Sequence, residues 1–384
     1  MKWVVKYYVL LIWGNLLKLL FRLFPLSPDT IVFDSFGGIK ASCSPWYIYK
    51  GIIKDYPQFK TYWIVTDNFE NTENIPAKSL IKKGTFRYFK IIHTAKFIIT
   101  NNRLDNYLCF RNKQIIINTW HGGGAFKRTF GYPLGMKRWY IEKTNQRDAQ
   151  RTTFYISSSQ TWSETIARNS FGFTGEILAY GLPRNDVFFE QNNILKSEIK
   201  QRIGINDDEK VVLYAPTYRP YENENNNEHL DIDLMLKTLS QKYASKFRFL
   251  YRGHHAMKLD GSFDNTTNVS SYPDMQELLL ISDVLITDFS SCMWDFALTY
   301  NPCFIFAPDF DSYIKNPGFE SDYHEWPFVI TKSNKELEDA INKIDLNCYK
   351  KNVSKYLANY GSYENGDATN QIVKLIYQQY SNLK

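Results

Sequence analysis

Short runs of Val, Ile, Phe and Tyr alternate with longer helical-period segments along almost the whole chain, and that alternation leaves few folds open. The runs IVFDSF (31–36), TYWIVT (61–66), KFIITNN (96–102), QIIINTW (114–120), TFYISSS (153–159) and EILAYG (176–181) read as strands bounded by turn residues. Helical spacing lies between them, at 45–56 and 87–94. After a polar stretch at 190–208 the pattern restarts, with strands predicted at 210–218, 247–253, 283–289, 303–308 and 328–332. Helices are expected at 233–243, 274–281, 291–299 and 335–344. Such alternation builds right-handed βαβ units on a parallel sheet. The expectation is therefore α/β, with two doubly wound parallel-sheet domains.

At 384 residues the chain exceeds the size at which a single core stops growing. Aromatic residues make up 16%, which is ample for two cores and excludes general disorder. Boundaries are placed at 1–28, 29–190, 191–355 and 356–384, with the last segment read as a helix packing back on the amino-terminal domain. The net charge of +6 suits an anionic partner without choosing one. Five scattered cysteines, with no C-x-x-C pair, point to a reducing compartment and away from a disulfide framework or a structural zinc site.

Residues 3–24 form the most apolar window. Between Lys6 and Lys18 only eleven residues are uncharged, whereas a spanning helix needs about twenty, so this segment is expected to lie on a bilayer surface. Helical spacing sets Gly14, Asn15, Lys18 and Arg22 on one side and Leu16, Leu17, Leu20, Phe21 and Phe24 on the other. A helix buried against the first domain and a true span are the competing readings. The low-complexity YENENNNE (221–228) reads as a mobile loop at the mouth of a site.

Two strand ends carry the chemistry. QIIINTW runs into His121-Gly122-Gly123-Gly124, which sets an imidazole at a strand terminus beside backbone that a ligand can approach closely. Such a histidine can take a proton from a hydroxyl near neutral pH. In the second half, LITDFSS places Ser290 and Ser291 at a strand-to-helix junction, where hydroxyls and free amides can grip a phosphate. Arg252-Gly253-His254-His255 and Ala215-Pro216-Thr217-Tyr218-Arg219 end two further strands, adding guanidinium forks and more imidazole. Gly181-Leu182-Pro183-Arg184-Asn185-Asp186 joins the halves. Neither a G-x-S-x-G elbow nor a G-x-x-x-x-G-K-[ST] loop occurs, which removes the esterase and nucleotide-hydrolysing P-loop readings.

Together WHGGGAFKRTFG (120–131), GLPRND (181–186), YAPTYR (214–219), Arg252 to His254 and TDFSSCMWDFAL (287–298) resemble the CDP-glycerol:glycerophosphate glycerophosphotransferase family, the bacterial teichoic acid primases and polymerases. The resemblance implies a GT-B-like fold, two lobes facing a cleft that takes a CDP-polyol, and peripheral attachment to the cytoplasmic face of the membrane. The family's H-G-T-P reads H-G-G-G here, and its R-x-H-P reads Arg252-Gly253-His254-His255, which leaves the role open between His254 and His255.

The reaction this implies is transfer of a polyol phosphate, glycerol phosphate first and ribitol phosphate second, from the CDP-polyol to a hydroxyl, releasing CMP. The acceptor would be a lipid-linked saccharide or a teichoic or capsular polymer. His121 is the expected base and His254 a charge stabiliser. Thr217, Arg219, Arg252, Asp288, Ser290 and Ser291 are the expected donor contacts, with Gly122, Lys127, Arg184 and His255 as further candidates. Metal and cofactor are not expected, since no D-x-D pair stands at either strand end. An anionic membrane surface is an expected partner and nucleic acid is not. A GT-B glycosyltransferase using a nucleotide sugar is the alternative enzyme, and a polysaccharide-binding protein the alternative without catalysis.

Overall fold

Every strand predicted from the apolar runs forms, and the strands assemble into two separate parallel sheets. The computed structural model describes residues 2–124, 135–190, 192–217, 229–253, 266–315 and 318–382. These fall into two compact units: one holds the described residues up to Phe189 together with those from Gly361 on, the other Glu190–Tyr360.

The first unit contains β1 (Ser27–Asp34), β2 (Lys60–Val65), β3 (Leu80–Lys82), β4 (Ala95–Thr100), β5 (Ile115–Asn118), β6 (Phe154–Ile156) and β7 (Glu176–Leu178). They pair in the order β3-β2-β1-β4-β5-β6-β7, all parallel. Both faces are covered. Ile31, Phe33, Phe97, Ile99, Ile115 and Ile117 pack on one side with Ile48, Ile52, Ile372 and Ile376. Val32, Ile98 and Ile116 face the other side with Tyr88, Ile92 and Leu108. Continuous apolar runs, rather than alternating ones, are what a sheet buried on both faces requires.

The second unit contains β8 (Lys210–Ala215), β9 (Phe247–Tyr251), β10 (Thr266–Asn268), β11 (Val284–Thr287), β12 (Cys303–Phe306) and β13 (Val329–Thr331), in the order β10-β9-β8-β11-β12-β13. In each sheet the winding reverses once, between β1 and β4 and between β8 and β11. Ligands of open α/β sheets bind beyond the carboxyl ends of strands at such a reversal.

Several strands stop short of their predicted ends. β1 ends at Asp34 because Phe36, Gly37 and Gly38 turn the chain with positive φ (49°, 70° and 90°). Similarly β5 ends at Asn118, two residues before Trp120 at φ 50°. The short edge strands β3 and β10 were not foreseen, since three residues give no period to read. The polar stretch at 190–208 contains a helix, Asn193–Ile203, capped by the Asn192 side chain on the Leu195 amide (2.9 Å) and closed by left-handed Gly204.

Helix α1 (Lys2–Phe21) docks on the first unit by a face that takes Gly14 from one side of its spacing pattern and Leu17 and Phe21 from the side expected to meet the bilayer. Gly14, Leu17 and Phe21 are the buried residues, while Leu16 and Leu20 are exposed. Gly14 decides this, because a methyl there would overlap the Tyr107 carbonyl, so the glycine lets the helix lie directly on that loop. Phe21 stacks on His93 at 5.3 Å, and Arg111 donates to the carbonyls of Phe21 and Phe24. Residues Val5, Val9, Ile12, Leu16, Leu19 and Leu23 form an exposed apolar stripe. By length and composition the helix could also cross a membrane.

Candidate functional site

In the first unit, three loops converge beyond the carboxyl ends of β1, β4 and β5. The loop after β5 begins with Asn118, whose Oδ1 accepts from the Trp120 amide (2.8 Å) and holds that residue in its left-handed turn. The turn lays the Trp120 ring against His121, with centroids 4.6 Å apart and planes 26° from parallel. His121 Nδ1 lies 2.8 Å from the carbonyl oxygen of Asn101. A carbonyl can only accept, so the neutral ring carries its proton on Nδ1 and keeps the lone pair on Nε2. Asn101 is itself fixed, its Oδ1 accepting from the Phe36 amide (2.9 Å).

Burial pushes the His121 imidazole below its ordinary range; the bond to Asn101 opposes this, and the Arg184 and Arg103 guanidiniums add to it. The ring is therefore neutral at pH 7, the state that can take a proton. Arg184 is buried, and its Nη1 donates to the His121 carbonyl (3.1 Å) and to Cys43 Sγ (3.2 Å). Its loop is tied down by the carboxyl-terminal segment: Glu364 accepts from the Leu182 amide (3.0 Å) and Asn185 Nδ2 (2.9 Å). Asp186 in turn accepts from the Ala368 and Thr369 amides (3.0 and 2.7 Å), at the start of helix Ala368–Ser381. Among the described residues a methyl at Gly122 would meet only Trp120, at 3.8 Å. Lys127 lies outside the described residues.

In the second unit, Thr217 follows β8 and Asp288 follows β11, the two strands flanking the reversal. Asp288 accepts from both the Thr217 amide (3.0 Å) and the Thr217 hydroxyl (2.6 Å), closing the two loops on each other. Ser290 and Ser291 stand in the same loop, at the start of helix Cys292–Ala297, which is shorter than predicted. The Ser291 side chain makes no cap hydrogen bond, and Ser290 Oγ lies 3.5 Å from the Cys292 amide. Arg252 donates to the Tyr272 carbonyl (2.8 Å); burial lowers its pKa, and Asp274 and Cys292 oppose the shift. Arg219, His254 and His255 lie outside the described residues. The structure thus brings His121, Gly122 and Arg184 together in one unit, and Thr217, Asp288, Ser290 and Ser291 in the other.

Residues 16–378 match the family described as CDP-glycerol:poly(glycerophosphate) glycerophosphotransferase. The chain belongs to this family. It is 31% identical over 376 residues to the teichoic acid poly(glycerol phosphate) polymerase of Staphylococcus epidermidis, covering 92% of this chain and 51% of that one. The Bacillus subtilis polymerase of the same name is 29% identical over 371 residues, covering 92% and 49%. The chain thus spans about half the length of these two relatives. A solved structure of the wall teichoic acid polymerase TagF, a histidine-to-asparagine variant with CDPG, superposes with a TM-score of 0.81 at 28% identity, covering 100% of this chain and 98% of that one.

Within this glycerophosphotransferase fold, sequence reasoning missed Asn101, whose role is played by a backbone carbonyl and so leaves no side-chain signature. It also missed Asp34, at the end of β1. Asp34 is buried, its Oδ1 has no hydrogen-bond partner among the described residues, and burial raises its pKa to about 7, with Lys83 opposing and Asp105 and Asp148 adding. The folded pKa lies above the unfolded value of about 3.9. The neutral acid therefore stabilises the fold fully below about pH 4, and that contribution is lost as pH rises through 7. Asp34→Asn cannot ionise, so its melting temperature relative to wild type should climb from pH 4 to 7 and level off above. Melting curves that stay parallel across that range would contradict the buried-acid assignment.

Proposed function

We propose that the protein transfers glycerol phosphate from CDP-glycerol to a hydroxyl of a polymeric or lipid-linked glycan acceptor and releases CMP. The observation that carries this reading is His121: a neutral imidazole with Nδ1 held by a carbonyl and Nε2 left to accept a proton, in a chain of the glycerophosphotransferase family. The acceptor oxygen attacks the glycerol-bearing phosphorus as its proton passes to Nε2. The bond from that phosphorus to the CMP oxygen breaks, and CMP leaves with the electron pair.

Phosphoryl transfer needs positioning and charge neutralisation more than covalent help. In this reading the first unit serves the acceptor and the second the donor. Ser290 and Ser291 hold a phosphate, and the Thr217–Asp288 pair sets the geometry of that loop. Arg252, Arg219 and His254 or His255 offset diphosphate charge. Glycerol is favoured over ribitol by the two glycerol phosphate polymerases above. Peripheral attachment to the cytoplasmic membrane face is supported by the exposed stripe of α1, with Lys2, Lys6, Lys18 and Arg22 on the same segment.

With CDP-glycerol and a glycerol phosphate oligomer, CMP release should fall by about 10²–10⁴-fold in His121→Ala, while CDP-glycerol affinity stays within a factor of three or so. Near-normal turnover in that variant would remove the base assignment, and release of CDP in place of CMP would favour a glycosyltransferase. For the membrane reading, Ile12→Glu with Leu16→Glu and Leu19→Glu should abolish flotation with anionic vesicles at an unchanged melting temperature, because these side chains face outward. Undiminished flotation would refute it.

A further inference from the structure

Helix α2 (Cys43–Asp55) follows β1 at the winding reversal of the first sheet, and several donors of its first turn find no acceptor among the described residues. The cap residue Ser42 has an extended backbone, yet its side chain makes no bond to the turn it precedes. Among the described residues Ser42 Oγ and Ser44 Oγ have no hydrogen-bond partner, although the two residues are only 5% and 0% exposed. Buried hydroxyls without partners are uncommon, because each forfeits its bonds to water. The Cys43 and Ser44 amides, at the first two helical positions, find no acceptor among the described residues, and Pro45 has no N–H to offer. No acidic side chain stands in this first turn.

The same turn adjoins the His121 loop. One guanidinium, that of Arg184, donates both to Cys43 Sγ (3.2 Å) and to the His121 carbonyl (3.1 Å). Ser35 Oγ donates to the Ser42 carbonyl (2.9 Å), which ties the turn to the end of β1. Cys43 itself has φ 60°, a conformation that costs a non-glycine residue about 1–3 kcal/mol and occurs at ligand clamps. Two hydroxyls, two amides, the positive end of a thirteen-residue helix and a buried cation therefore meet beside the candidate base.

We propose that the first turn of α2, through Ser42, Ser44 and the Cys43 and Ser44 amides, binds a phosphate of the acceptor next to the hydroxyl that His121 deprotonates. This rests on the transfer reading above and deepens it. A glycerol phosphate chain carries a phosphodiester one polyol away from its terminal hydroxyl, and a lipid-linked starter carries a diphosphate. Either supplies the same anionic oxygens. Holding that phosphate sets the register of the chain end, so that the reacting oxygen is selected by the position of its neighbour's charge.

The test is direct because the two hydroxyls hold nothing else in place. Ser42→Ala with Ser44→Ala should leave the melting temperature unchanged or higher, since it deletes unsatisfied buried groups. It should weaken binding of a defined glycerol phosphate oligomer, measured without donor, about tenfold or more, and leave the KM for CDP-glycerol unchanged. An unchanged oligomer Kd would overturn the proposal, as would a rise in the donor KM alone, which would assign the turn to a donor phosphate. Oligomer and lipid-linked diphosphate, titrated in parallel, identify which phosphate it reads. If wild type binds the oligomer through these serines yet releases no CMP, the transfer reading fails while the phosphate site stands.

Discussion

In the proposed reaction, the hydrogen bond from His121 Nδ1 to the Asn101 carbonyl is the contact on which the chemistry depends. It settles the tautomer of the imidazole, leaves Nε2 as its basic atom, and joins the loops after β4 and β5. Partial burial then keeps that ring neutral, the state the proposed role of base requires. Around it, Asn118 fixes the Trp120 turn, Arg184 holds the His121 carbonyl, and the carboxyl-terminal segment holds the loop of Arg184.

These contacts explain why the strands stop where they do. A parallel sheet leaves the carboxyl ends of its strands free to turn into ligand-facing loops, and here those ends spend stability on geometry. Trp120 and Cys43 adopt left-handed backbone, and Asp34 is buried without a full set of partners. Each costs on the order of 1–3 kcal/mol, offset by the apolar layers on both faces of the sheet. The second unit is arranged alike, with the Thr217–Asp288 pair spanning its own winding reversal.

Much of this was legible in the amino-acid sequence. Apolar runs located β1, β2 and β4 to β7 to within a few residues, because a strand buried on both faces must be apolar throughout. The His121 and Ser290–Ser291 loops stood out as candidates because histidine and serine carry reactive groups in their side chains and glycine lets the backbone approach a ligand closely. Asn101 was not, since it works through its carbonyl. Ser42 and Ser44 were not, since a serine before a helix ordinarily reads as a cap, and only the structure shows the missing cap bond. Leu17 and Phe21, set by spacing on the bilayer side of α1, dock on the first unit instead, because the helix is apolar nearly all round and periodicity could not tell its docked side from its exposed one. Gly14 against the Tyr107 carbonyl made that choice.

The pH dependence of kcat/KM for CMP release, with CDP-glycerol as donor and a glycerol phosphate oligomer as acceptor, tests the proposed role of His121 most directly. A base must be neutral to act, so activity is lost as pH falls through its pKa, and burial of His121 places that acidic limb below the value of about 6.5 usual for histidine. Full activity is expected at pH 7, with a limb under 6.5 that moves up when Arg184, which depresses the pKa, is replaced by Gln. A limb above 7, or one that persists unchanged in the residual activity of His121→Ala, would contradict it.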